Sequence, residues 1–143
     1  MNAQSQKKAP RKPSFAVHIA QPDLLGLYSG SHADYKRIAD LVQLSKADLS
    51  KLTGVAKSSV RFDADIPSPV AEYLHEVANM ANRVAEFFAG DVRKVGLWIE
   101  LQNPLLGNIS PRTLIRAGRY KKLLNFVIDA QEAETAAASS KKH

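Results

Sequence analysis

Residues 69–89 read Pro69-Val-Ala-Glu-Tyr-Leu-His-Glu-Val-Ala-Asn-Met-Ala-Asn-Arg-Val-Ala-Glu-Phe-Phe-Ala89. Val70, Leu74, Val77, Ala81, Val84 and Phe88 recur in alternating steps of four and three, the period of a helix and not of a strand. Ala78, Ala85 and Phe87 widen this apolar stripe, and Pro67 and Pro69 suit a helix start. The stripe falls short of the three or four heptads that would argue for a coiled coil. Two arrangements satisfy it: the central helix of a globular bundle, or the seam of a homodimer. His75 sits beside the stripe with no second histidine at ligand spacing, so no metal site is expected.

Working toward the N-terminus, the pattern stays helical back to Ser31. Ser31 with Asp34, and Ser45 with Asp48, have the spacing of capping boxes. They predict helices over about 32–43 and from Ser45 to Gly54, where glycine supplies the positive φ of a tight turn. The stretch Leu49-Ser-Lys-Leu-Thr-Gly-Val-Ala-Lys-Ser-Ser-Val60 resembles the core of a helix-turn-helix. Leu49 and Val60 would be buried, Ser50 would allow close approach and Val55 would plug the turn. A following helix would then present Lys57, Ser58, Ser59 and Arg61, with Lys46 nearby, to phosphates and base edges of operator DNA. Two departures weaken such binding: Ala56 replaces the usual capping residue, and Asp63 and Asp65 would repel a phosphate backbone. The bland alternative is an ordinary helical corner. Residues 15–30 contain short apolar clusters, Phe15–Ile19 and Leu24–Tyr28, broken by Pro22, Gly26 and Gly30.

Toward the C-terminus, Asp91 caps a helix of about 92–102. Val95, Leu97, Trp98, Ile99 and Leu101 surround most of its circumference, which predicts burial. Asn103-Pro104 ends it. Leu105 and Leu106 are apolar residues in a loop, expected to tuck into a core or a partner. Ser110-Pro111 starts a short helix that ends at Gly118. A last amphipathic helix spans Tyr120 to Ala130, with Leu123, Leu124, Val127 and Ile128 on one face.

Trp98, Asn103-Pro104, Leu106-Gly107, Ser110-Pro111, Leu114, Gly118, Tyr120 and the trailing apolar helix occur together over residues 92–130. In this they resemble the toxin-binding domain of the Xre/MbcA/ParS-like antitoxins, and the helix-turn-helix lobe fits the same layout. Composition and the resemblance together imply an all-α chain: a largely flexible basic arm (1–30), a helix-turn-helix lobe (31–66), a connecting helix (67–90), a toxin-binding domain (91–131) and a flexible tail (132–143). The resemblance implies a cognate RES-domain toxin as partner, an enzyme that degrades NAD or transfers ADP-ribose. The antitoxin's C-terminal segment would cover the NAD pocket, and the chain would also regulate its own operon. Carried over, the toxin-binding residues are Asn103, Pro104, Leu106, Arg112, Arg116, Gly118, Arg119, Tyr120, Lys121 and Leu124. The arginine cluster also has a plain reading as a solvated helix face. The runner-up function is a stand-alone regulator whose C-terminal half serves dimerisation.

Charge supports two contact surfaces. The chain carries a net +6. Four bases without an acid lie in the first fourteen residues, and Lys141 and Lys142 add two, so residues 15–140 balance. Within them, 32–61 net +3, 62–110 net −4 and 111–140 net +2. The calculated basicity is therefore poor evidence for nucleic acid by itself. With no cysteine, no paired histidines, no phosphate-binding glycine loop and no nucleophile elbow, neither an enzyme nor a cofactor is expected. With no apolar run of membrane-spanning length, a cytoplasmic protein is expected, as a homodimer or a larger complex with its toxin.

Overall fold

A computed structural model describes residues 22–141, with side chains to Ala138. The expectations for the basic arm over 1–14 and the cluster Phe15–Ile19 lie outside the described residues. The described chain is helical apart from one small hairpin, so the all-α class holds. Strands β1 (Tyr28–Ser29) and β2 (His32–Ala33) pair antiparallel. Helices α1 (Tyr35–Leu41), α2 (Lys46–Thr53), α3 (Ser68–Phe87), α4 (Val92–Glu100), α5 (Pro111–Arg116) and α6 (Tyr120–Lys141) follow. Single 3-10 turns lie at Lys57–Ser59 and Pro104–Leu106.

Helix α3 is the axis. Val70, Leu74, Val77, Ala78, Met80, Ala81, Val84 and Ala85 are buried, and α1, α2, α4 and α6 all pack on it. The stripe is thus covered by the chain itself, which decides for the bundle over the homodimer seam. One continuous core runs from Leu25 to Val127, so the two expected lobes share an interior. Asn82 is the one buried polar side chain among the described residues. It is satisfied: its Oδ1 accepts from Leu25 N at 3.0 Å and its Nδ2 donates to Asp23 Oδ1 at 3.1 Å. Asp23 also accepts from Leu27 N and Tyr28 N, each at 2.9 Å. A buried amide left without partners would cost about 1–3 kcal/mol, so this network fixes the course of residues 23–28 across α3.

The chain start of α1 differs from expectation. Ser31 lies in the hairpin turn, and Asp34 alone caps α1 by accepting from Arg37 N at 3.1 Å. The hairpin wins because Gly30 (φ +63°) takes a turn conformation there and Tyr28 gains a partner beneath it. Tyr28 Oη lies 2.8 Å from His75 Nδ1, and Tyr35 Oη lies 3.1 Å from His75 Nε2. His75 therefore staples β1 and α1 to α3, and burial lowers its pKa.

The Ser45–Asp48 capping box forms as expected, and Gly54 takes φ +80° at the end of α2. The last helix is longer than expected. Beyond Ala130 the residues Gln131-Glu-Ala-Glu-Thr-Ala-Ala-Ala138 have high helix propensity, and Gln131 bonds to α3: its Nε2 donates to Glu86 Oε1 at 2.7 Å, and its Oε1 accepts from Arg83 at 3.1 Å.

Leu74 is fully buried at the centre of this packing. Leu74→Ala should therefore lower stability by about 2–5 kcal/mol, read as a shifted denaturation midpoint; a loss below about 1 kcal/mol would contradict a core organised on α3.

Candidate partner-binding surface

The α5–α6 corner is set by local chemistry. Ser110 Oγ accepts from Thr113 N at 3.1 Å, and Pro111 begins α5. Helix α5 ends at Arg116 with Ala117 as its C-cap, and Gly118 (φ +76°) turns the chain into α6. A Cβ on Gly118 would sit 3.5 Å from Leu52 Cδ2, so α2 packs against this turn. Arg116 Nε reaches Asp48 Oδ1 at 3.6 Å. Burial pushes the Asp48 carboxyl up, but hydrogen bonds from Ser45, with Arg116 and Lys51 nearby, hold it below the usual carboxylate range. Tyr73 Oη donates to Ile115 O at 2.7 Å, which ties the end of α5 to α3.

The expected toxin-binding residues fall into two groups. Arg119 and Lys121 are exposed with no ion pair among the described residues, and Pro104 and Gly118 are also at the surface. Arg116 is exposed but engaged with Asp48, and Leu124 is half-buried. Leu106 and Tyr120 are buried; they shape the surface and are not free to cover a partner. Asn103 Oδ1 accepts from Leu105 N at 2.9 Å, and its backbone bridges to Ile109, so it closes the loop. Arg112 is half-buried, and its Nε is buried without a hydrogen-bond partner among the described residues.

A correction concerns α4. Only Val95 and Ile99 of this helix are buried. Leu97 and Leu101 are 54% and 60% exposed, and Leu105 in the following 3-10 turn is 79% exposed. The helix is apolar on two faces, and α3 and α5 cover only one. Of the two loop leucines, Leu106 enters the core and Leu105 does not. Within α4, Leu97 lies two residues from each of the inward pair Val95 and Ile99, and so on the opposite face; this was the sequence signal for the exposed side.

The basic corner is less suited to DNA than its sequence suggested. Leu49 and Val60 are buried as expected. However, the segment expected to be a second helix is a single 3-10 turn, Lys57–Ser59, with no side-chain cap at Ala56. Lys46, Lys57, Ser58 and Ser59 are exposed. Arg61 is held by Asp63 through two bonds, Nε to Oδ1 at 2.7 Å and Nη2 to Oδ2 at 2.6 Å. The nearby acid expected to repel phosphate instead takes up the arginine.

A groove of about 990 Å³ opens between the hairpin, α3 and α6. Tyr28, His75, Glu72, Glu76, Tyr120 and Lys121 are among its lining residues. Sequence reasoning missed it because it joins residues from three separate elements. No family model, curated protein or solved structure matches this chain.

Two phenols report on this region. Burial, then the negative field of Glu76, pushes Tyr73 up to about 12. Burial, with Glu76, also raises Tyr120. Unfolded tyrosines ionise near 10, so between pH 10 and 12 the unfolded state binds fewer protons than the folded one. Stability should be full below pH 10 and fall as pH rises toward 12. Phenolate absorbance should show Tyr73 and Tyr120 ionising only as the chain unfolds; early ionisation of all four tyrosines would contradict their burial.

Proposed function

We propose that this chain is an antitoxin that binds and neutralises a RES-domain toxin, using the α4 leucine ledge and the cationic α5–α6 corner. The observation that carries the reading is the ledge: Leu97, Leu101 and Leu105 stand 54–79% exposed within the segment whose sequence resembles a toxin-binding domain. Large apolar side chains left in water favour a covering partner. The exposed Arg119, Lys121 and Lys122 supply cations for steering and for anionic groups near an NAD pocket.

The neutralisation test combines the purified chain with the RES-type toxin encoded beside it and follows NAD loss or ADP-ribosylation. Undiminished toxin activity at stoichiometric excess would overturn the proposal. Truncation after Gly118 is a poor probe, because Leu123 and Val127 of α6 are core residues. Surface variants are cleaner. Leu101→Asp with Leu105→Asp should weaken inhibition by roughly 100-fold or more, the scale of losing one or two central anchors. Arg119→Glu with Lys121→Glu should act mainly on association rate and lose its effect at high salt. Unchanged inhibition in both double variants would place the contact elsewhere.

The stand-alone regulator has less support, since a single 3-10 turn replaces the recognition helix and Arg61 is engaged by Asp63. Contact with operator DNA through Lys46 and Lys57 would then be mostly phosphate contact. In a salt series of gel shifts, replacing each lysine by alanine should reduce the log–log salt slope by about 1. A sequence-specific loss at constant slope would instead indicate base reading.

A further inference from the structure

We propose that the groove between the hairpin, α3 and α6 is a receptor for an arginine side chain presented by a partner protein. Glu72 and Glu76 are exposed one helical turn apart on α3, and both line the groove. Neither has an ion pair or a hydrogen bond to any described residue. On α3 itself the helix period places them on one side. Surface glutamates alone are ordinary. What makes this a built site is Tyr120: it is 6% exposed, its ring packs at 6.3 Å from that of Tyr73, and it lines the groove. Its hydroxyl has no hydrogen-bond partner among the described residues, although Tyr73, its neighbour, is fully engaged with Ile115.

The wall chemistry selects the ligand. Tyr28 and His75 are stacked, with ring centroids 5.7 Å apart and planes at 23°, and form an aromatic side to the groove. A planar guanidinium can lie on such a face while its edge donates to carboxylates and a phenol oxygen. The groove carries three acids, Asp23, Glu72 and Glu76, against one base, Lys121. Asp23 is occupied by Leu27, Tyr28 and Asn82, which leaves the two glutamates for the ligand. An ammonium would satisfy the charge but not the stack, so arginine should be preferred to lysine.

The test titrates the full-length chain with a blocked Gly-Arg-Gly peptide and follows the side-chain amides of Asn79 and Asn125, both in the groove, by NMR. Saturable shifts confined to the groove are expected, with weaker shifts for the lysine peptide and none for the uncharged citrulline peptide. Glu72→Gln with Glu76→Gln should weaken binding roughly tenfold or more. Tyr120→Phe should weaken it by a few-fold. The exposed Glu132→Gln should leave binding unchanged, and both glutamates are exposed, so the fold should be retained in the double variant. Absence of saturable shifts, equal binding of the citrulline peptide, or unchanged binding in the glutamine double variant would overturn the site. The titration contains no toxin, so its failure would leave the neutralisation reading untouched, and the converse holds.

Discussion

Burial of the α3 stripe is the constraint on which the rest of this structure depends. Each fully buried aliphatic side chain contributes about 1.5–3 kcal/mol, and Val70, Leu74, Val77, Met80 and Val84 lie on this one helix. Ala78, Ala81 and Ala85 let neighbouring helices approach its axis. The same helix carries a polar residue into the interior, Asn82, and the need to satisfy it fixes the N-terminal end of the described chain. Asp23 and Leu25 meet Asn82, and this places Tyr28 over His75. Apolar packing and amide satisfaction thus dictate the hairpin, although a two-stranded hairpin alone is marginal in water.

What α3 does not cover becomes the surface. Helix α4 can bury only Val95 and Ile99 against its neighbours, since it is nine residues long and its far face has no covering element among the described residues. Leu97 and Leu101 are left outside for that geometric reason, and Leu105 follows because Asn103 closes a loop that turns only Leu106 inward. The ledge is therefore a consequence of helix length and loop closure, built from residues whose transfer to a partner would be favourable.

Much of this architecture was legible in the chain. The step pattern from Val70 to Phe88 identified the axis, and Ser45 with Asp48, Asp91, and Ser110-Pro111 marked helix starts that all appear. These signals are local: a side chain and a backbone N–H three residues away suffice. Legibility failed where two elements compete. Ser31 and Asp34 had capping-box spacing, but the hairpin claimed Ser31 because Tyr28 and Tyr35 both reach His75 on a distant helix. Helix α4 read as buried because periodicity counts apolar residues without counting neighbours. The segment after Gly54 read as a helix because the turn chemistry was right, yet Lys57–Ser59 closes only one 3-10 turn before Val60 extends into the core. The groove was invisible for the same reason as the His75 staple, since its walls come from residues as far apart in sequence as Asp23 and Asn125.

Tyr120 joins these threads. As the first residue of α6 it follows the Gly118 turn, and its ring lies against Tyr73, whose hydroxyl holds Ile115 at the end of α5. The orientation of α5, the start of α6 and one wall of the groove are thus set together, from α3. Lys121 follows directly and lines the same groove. A partner that grips the α5–α6 corner would therefore meet a surface whose geometry is tied to the core through Tyr120 and Tyr73. Pre-set geometry of this kind lowers the ordering cost of association. It also makes Tyr120 a residue of both core and surface, so its ring and its hydroxyl have separable roles: removing the ring would disturb packing against Tyr73, whereas removing only the oxygen would leave that packing intact and alter what the groove can hold.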